Sequence, residues 1–288
     1  MVTQIPLYEN AANSYIAPWI GDDLSLTPEQ KALRRFSLSG KSALITGGAR
    51  GLGFDAAFAL LEHGASKVAL LDISDGSEAV AHLQKLHPTA NIVYWRVNVT
   101  DADMVDKVVS ELAELFGQLD ILLSFAGIVN CEFAIDHSPE TWRRVLDVNT
   151  TGTFLIARAF GKCVIKNGNR ASVVLTASMS GHGANFPQPQ SAYNASKAAV
   201  ISIKTSLAAE WAMHNIRVNS ISPGYMDTVL NEGDALDYHR RIWLARTPLN
   251  RMGARGDLNG AIILLSSDAG SFITGSDIMI DGGITGLI

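Results

Sequence analysis

Cysteine is scarce in this chain: Cys131 and Cys163 are the only two among 288 residues. Two thiols cannot build a disulfide framework, so the sequence predicts a pair of reduced side chains. The seven histidines are scattered, with no His-x-x-x-His or Cys-x-x-Cys spacing, and no metal site is expected. Positive charge is also short. Lys and Arg total 23 against 28 Asp and Glu, a net charge of −5, which excludes the basic face of a general nucleic-acid binder. No apolar run approaches the length of a membrane span. The first thirty residues contain no Lys or Arg but hold Glu9, Asp22, Asp23 and Glu29, the wrong composition for a signal or transit peptide. The final Gly286-Leu287-Ile288 is no retention or peroxisomal signal. A cytoplasmic location is the expectation.

What is present is a regular alternation. Short apolar runs at 41–46, 68–71, 92–97, 119–124, 171–177, 217–221 and 277–280 read as buried strands. Helical periodicity lies between them at 54–63, 77–86, 101–116, 139–167, 191–214 and 258–266. Apolar strands alternating with helices predict an α/β fold, a doubly wound, mostly parallel Rossmann-type sheet with helices on both faces. Ligands of such folds sit outside the carboxyl ends of the strands. Residues 40–288 form the single domain expected. Residues 1–39, with three prolines and no strand period, read as an N-terminal extension. The polar stretch 223–251 interrupts the alternation and is a candidate substrate loop, with 227–250 as a lid.

Tyr193 and Lys197 stand four apart at the start of a helical run, on one face and one turn apart. A free phenol has a pKa of about 10, too high for a base at neutral pH. A neighbouring ammonium favours the ionised phenol, which predicts that Lys197 tunes Tyr193 toward acid–base work. Ser178 closes the run 171–177, where a hydroxyl can polarise a carbonyl. Gly47, Gly51 and Gly53 lie between the first strand and first helix. A phosphate must approach backbone N–H groups at a helix start, and side chains there would block it. Asp72 ends the second strand, where a carboxylate accepts from ribose hydroxyls and repels a 2′-phosphate. Arg50 is the competing signal, because it can meet a phosphate. The weight of Asp72 favours NAD(H) as cofactor.

In combination these pieces resemble the short-chain dehydrogenase/reductase family over 38–283. The stretch Thr46-Gly-Gly-Ala-Arg-Gly-Leu-Gly53 is similar to its cofactor motif, which adds Leu52 to the cofactor contacts. Asn149 in Asp147-Val-Asn-Thr matches the asparagine that links the lysine to water in that family. Ser178, Tyr193 and Lys197 match its other three catalytic positions. Pro223-Gly224-Tyr-Met-Asp-Thr228 resembles the motif that contacts the nicotinamide, which implies roles for Pro223, Gly224, Met226 and Thr228. The resemblance also places Asn98, Val99, Ala126 and Gly127 beside the cofactor, with Tyr193 and Lys197 at its ribose. Two positions depart from the pattern: Phe125 replaces an asparagine that helps tie the sheet, and Asn98 replaces an adenine-binding aspartate.

The segments 176–188 and 222–228 are similar to those of fungal polyol dehydrogenases and ketose reductases, many of which prefer NADP. The implied activity is interconversion of a secondary alcohol and a ketone, a polyol and a ketose. Substrate-wall expectations are Ser178, Ser180, His182, Asn185, Gln188, Gln190, Tyr193 and Trp243. Two other readings remain open here, a ketoreductase of a secondary-metabolite or steroid-like substrate and a non-catalytic NAD-binding protein. The family commonly pairs the helices here placed at 139–167 and 191–214, so a homo-oligomer is expected, with a tetramer favoured.

Overall fold

In the computed structural model, residues 15–228 and 236–287 are described. The strands among them are β1 Ser42–Thr46, β2 Lys67–Asp72, β3 Asn91–Arg96, β4 Ile121–Ser124, β5 Ala171–Thr176, β6 Ile216–Pro223 and β7 Asp277–Ile280. They form one parallel sheet in the order β3-β2-β1-β4-β5-β6-β7. The order reverses between β1 and β4, and ligands of doubly wound sheets bind at that switch.

The helices are α1 Pro28–Phe36, α2 Gly51–Glu62, α3 Ser77–Leu86, α4 Ala102–Phe116, α5 Pro139–Leu146, α6 Thr153–Asn167, α7 Ser191–Trp211, α8 Asp237–Arg246 and α9 Asn259–Ser266. They cover both faces. One core joins α4, α6 and α7 to the sheet through Val109, Leu112, Ile156, Phe160 and Val200. The other joins α2, α3 and α9 through Ala56, Leu60, Leu83 and Ile262. The central strands β1 and β4 are buried along their whole length, as the unbroken apolar runs require.

The long helix expected over 139–167 is divided. Between α5 and α6 the chain makes a π turn, Asp147–Gly152, and Asn149 lies inside it. The wider turn carries no pattern in apolar spacing. Two helices were not read from sequence, although α1 carries a legible start. Thr27 accepts from the Gln30 N–H while Gln30 accepts from the Thr27 N–H, a full capping box. The polar stretch contains α8, whose single fully buried side chain is Trp243.

The described part of the N-terminal extension lies on the domain. The Tyr15 N–H donates to Asn215 at 2.8 Å and its hydroxyl to Asp268 at 3.0 Å. The Arg170 guanidinium sits 3.5 Å above the Tyr15 ring. Arg170 and Asn215 directly precede β5 and β6, so this anchor is at the amino edge of the sheet, opposite the expected site.

Candidate active site

The site gathers at the carboxyl ends of β1, β2, β4, β5 and β6. The loop after β1 fits a dinucleotide phosphate. Gly47 and Gly51 adopt left-handed backbone, φ +68° and +59°, and a Cβ on Gly51 would meet open space. That leaves bare backbone at the amino end of α2. Gly53 is also required by packing, because its Cβ would lie 2.3 Å from the Gly47 carbonyl oxygen. Leu52, in the first turn of α2, is half-buried. Asp72 ends β2, and its carboxylate accepts from Ala49 N–H at 3.2 Å and Ser74 N–H at 2.9 Å. The carboxylate thus stands against the glycine loop. Arg50 is exposed.

The departures from the family pattern have visible consequences. Phe125 packs beside the α2 core, and the tie between strands is made by backbone. Phe125 N–H donates to the Thr46 carbonyl at 3.0 Å, and Ala126 N–H to the Thr46 hydroxyl at 3.2 Å. The Asn98 side-chain oxygen is taken by the Thr100 N–H and hydroxyl at 3.2 and 2.9 Å, and Asn98 itself is exposed. Val99 is buried against Gly152, where any Cβ would come within 2.6 Å. Gly127 lies where an added Cβ would be 3.2 Å from Asn149 Oδ1 and 3.7 Å from Lys197 Nζ.

Asn149 is fully buried. Its oxygen accepts from Ile128 N–H, and its amide donates to the Ile128 carbonyl and to Ser196 Oγ at 2.8 and 3.0 Å. Both amide protons are therefore used, and only acceptor capacity remains toward Lys197. Lys197 donates to the Thr176 carbonyl at 2.7 Å, and its Nζ lies 5.7 Å from the Tyr193 ring centre. Burial pushes the ammonium down to about 8. Tyr193 differs from expectation. Burial pushes its phenol up, and the hydrogen bond with Ser178 draws it back only in part. Desolvation is the leading cause, and Lys197, itself stripped of water, is not among the groups that lower the phenol. Ser178 is held by the turn it opens, accepting from Ser180 N–H at 3.1 Å, with the two hydroxyls 3.1 Å apart.

The substrate-wall residues divide. His182 turns to Asp277, with Nε2 at 2.7 Å from the carboxylate and 3.3 Å from Ser222 Oγ. Gln190 is buried and donates to Cys131 Sγ at 3.0 Å. Asn185 donates to the Tyr225 hydroxyl at 3.3 Å, and Tyr225 donates to Gln188 Oε1 at 3.2 Å. Trp243 is not on an open wall. It is 1% exposed, stacked on Tyr225 with ring centres 4.3 Å apart, and donates to Gln188 Oε1 at 3.1 Å.

β6 ends at Pro223, and the N–H of the next residue, Gly224, donates to the Ile280 carbonyl at 2.9 Å. A Cβ on Gly224 would lie 2.7 Å from Asp281 Cα, so glycine is required. Met226 is buried beside Gly253, and Thr228 is half-buried. Two residues escaped the sequence reading. Tyr225 sits inside a motif already noted. Asp277 lies ninety-five residues from His182, and no local signal marks it. Among the described residues no cluster of His, Cys, Asp or Glu could hold a metal, and no helix is long and apolar enough to cross a membrane.

Comparison with known proteins gives the same picture. A family model described as enoyl-(acyl carrier protein) reductase matches residues 47–285. The NADP-dependent mannitol dehydrogenase of Hypocrea jecorina is 39% identical over 259 residues, spanning 88% of this chain and 96% of that protein. The galactitol 2-dehydrogenase of Rhizobium johnstonii is 40% identical over 256 residues, spanning 88% and 98%. The crystal structure of a short-chain type dehydrogenase/reductase from Mycobacterium marinum superposes with a TM-score of 0.82 at 40% identity, covering 88% of this chain and 98% of that one. Sheet order, glycine loop, the Ser178–Tyr193–Lys197 cluster and these similarities agree, and the chain belongs to the short-chain dehydrogenase/reductase family of nicotinamide-dependent oxidoreductases.

Proposed function

We propose that this protein is an NAD(H)-dependent oxidoreductase interconverting a polyol and a ketose. The observation that carries the reaction is the junction of Ser178 and Tyr193 hydroxyls with the buried Lys197 ammonium between β5 and α7. Tyr193 gives its proton to the carbonyl oxygen during reduction and recovers it during oxidation. A phenol held up by burial is suited to stay protonated until that oxygen takes on charge. Ser178 donates to the same oxygen and stabilises it as an alkoxide. Lys197 holds a positive charge beside the phenol, and Asn149 fixes the backbone at Ile128 and the turn of α7 at Ser196. The nicotinamide, when bound, supplies or accepts the hydride. Gly47, Gly51, Asp72, Val99, Gly127, Pro223 and Thr228 would hold the dinucleotide.

The choice of NAD rests on Asp72, whose carboxylate is fixed against the glycine loop by Ala49 and Ser74. A 2′-phosphate there would meet a like charge at contact distance. The Hypocrea jecorina relative is named for NADP, which makes the cofactor a separate question from the chemistry. The polyol class rests on the polar residues gathered after Ser178 and on the names of the relatives.

The test is an absorbance assay of pentitols, hexitols and ketoses with both cofactors. Turnover with NAD(H) is expected, and Tyr193→Phe should lower kcat by at least ~10³-fold while cofactor binding stays near that of the parent. A Tyr193→Phe enzyme within tenfold of the parent would sink the assignment.

A further inference from the structure

The side chains of Trp243, Gln188, Tyr225 and Asn185 form one directed hydrogen-bond chain. An indole N–H can only donate, so the atom of Gln188 that faces Trp243 is its carbonyl oxygen. Tyr225 gives its proton to that same oxygen and so accepts from Asn185. Asn185 must then present its NH2 to Tyr225. Two capacities are left over at the end of this chain. Gln188 keeps its N–H donors. Asn185 keeps Oδ1, which is buried and has no partner. A cavity of about 20 Å³, enough for one water-sized group, is lined by Ser180, Asn185 and Tyr225 together with Phe186, Arg246 and Ile284. The Ser180 hydroxyl in that wall is 3.1 Å from that of Ser178.

We propose that Trp243 is a positioning residue: through Gln188 and Tyr225 it sets the orientation of two amides that read the substrate hydroxyls beyond the reacting carbon. The inference rests on the polyol–ketose reading. A hydroxyl both donates and accepts, so it can satisfy the Asn185 oxygen and a Gln188 N–H. A methylene in its place leaves the buried oxygen unpaired, and a site built to pair a hydroxyl rejects the analogue without one. Stacking on Tyr225 keeps the indole in register, and its burial denies it any competing water. The chain therefore sorts substrates by hydroxylation while Tyr193 does the same chemistry on each.

Trp243→Phe removes the N–H but keeps an aromatic ring under Tyr225. The experiment measures kcat and KM for carbonyl reduction of 2-hexanone and of the best ketose among sorbose, fructose and xylulose. Parent, Trp243→Phe and Gln188→Leu are compared, with thermal unfolding of each. The ratio of ketose to 2-hexanone efficiency should fall about tenfold in both variants, through KM, the loss of one well-placed polar contact. A purely structural role would lower both substrates alike and leave the ratio unchanged. If Trp243→Phe fails to fold, Gln188→Leu carries the test. A parent that reduces 2-hexanone but no ketose overturns the polyol reading and this inference with it. Ketose turnover with the ratio held within twofold in the variants overturns the inference alone. A fall in Gln188→Leu without one in Trp243→Phe overturns the role of Trp243.

Discussion

Lys197 shows how burial sets the chemistry of a single residue. Unfolded, it keeps its proton to the ordinary lysine value of 10.5; folded, it loses it near 8. Between these values the unfolded chain binds more protons, so stability from this group rises as pH goes from about 8 to about 10.5. Below pH 8 the buried charge costs on the order of 3 kcal/mol. Titration of side-chain carbon-labelled lysines by NMR in the free protein should show one residue titrating near 8, absent in Lys197→Met. If every lysine titrates above 10, the ammonium is better solvated than its burial implies. Asp72 acts at the same scale on a different ligand. Asp72→Ser removes a ribose acceptor and a repelling charge together, and Arg50, exposed nearby, can then meet a phosphate. The NADP to NAD ratio of kcat/KM should rise about 10- to 100-fold. A parent that already prefers NADPH would refute the placement.

At the scale of the element, β7 does more than close the sheet. Its first residue, Asp277, accepts from Ser220 Oγ at 2.5 Å and Ser222 Oγ at 2.7 Å, and pairs with His182. Ser222 directly precedes the Pro223 loop, and His182 follows the turn opened by Ser178. One carboxylate thus ties the turn after Ser178 to the end of β6. Asp277→Ala should lower stability by about 2–3 kcal/mol and raise KM for both cofactor and substrate. Chemical denaturation and steady-state kinetics read the two effects. A raised substrate KM with unchanged cofactor KM would show that the two walls are held separately. The π turn before α6 is a second such device, placing Asn149 where Ile128 and Ser196 both reach its amide.

For the whole molecule, α7 presents two faces. Ala192, Ser196, Lys197, Val200, Lys204, Leu207 and Ala208 are buried toward the domain. Ala195, Ala198, Ser202, Thr205, Ser206 and Ala209 are exposed on the other side, uncharged and small, with Glu210 the one charged residue among the exposed positions of α7. Such a face lets a second helix approach closely. Phe154 on α6 adds an apolar side chain left 39% exposed. We propose that these helices pair between copies and that the protein is a homo-oligomer, dimer or tetramer. Sedimentation at micromolar concentration should give a multiple of the 30.8 kDa chain mass, and a lone monomer would overturn the pairing.

The sequence by itself determined the layers of this protein and marked the candidates for its chemistry. Strand runs, helical spacing and glycine positions are local properties, set by side-chain period and by backbone that only glycine adopts freely, so they can be read along the chain. Tyr193, Lys197, Ser178 and the glycine loop belong to that class, each marked by its neighbours. The tertiary structure decided the rest. The phenol of Tyr193 is raised by desolvation, and desolvation depends on atoms brought in from other strands. Asp277 meets His182 across ninety-five residues, Asn149 falls in a π turn that no apolar spacing encodes, and Trp243 is buried under Tyr225 instead of open to a substrate. Each is a pairing between distant segments. Its energy exists only once the sheet has brought those segments together.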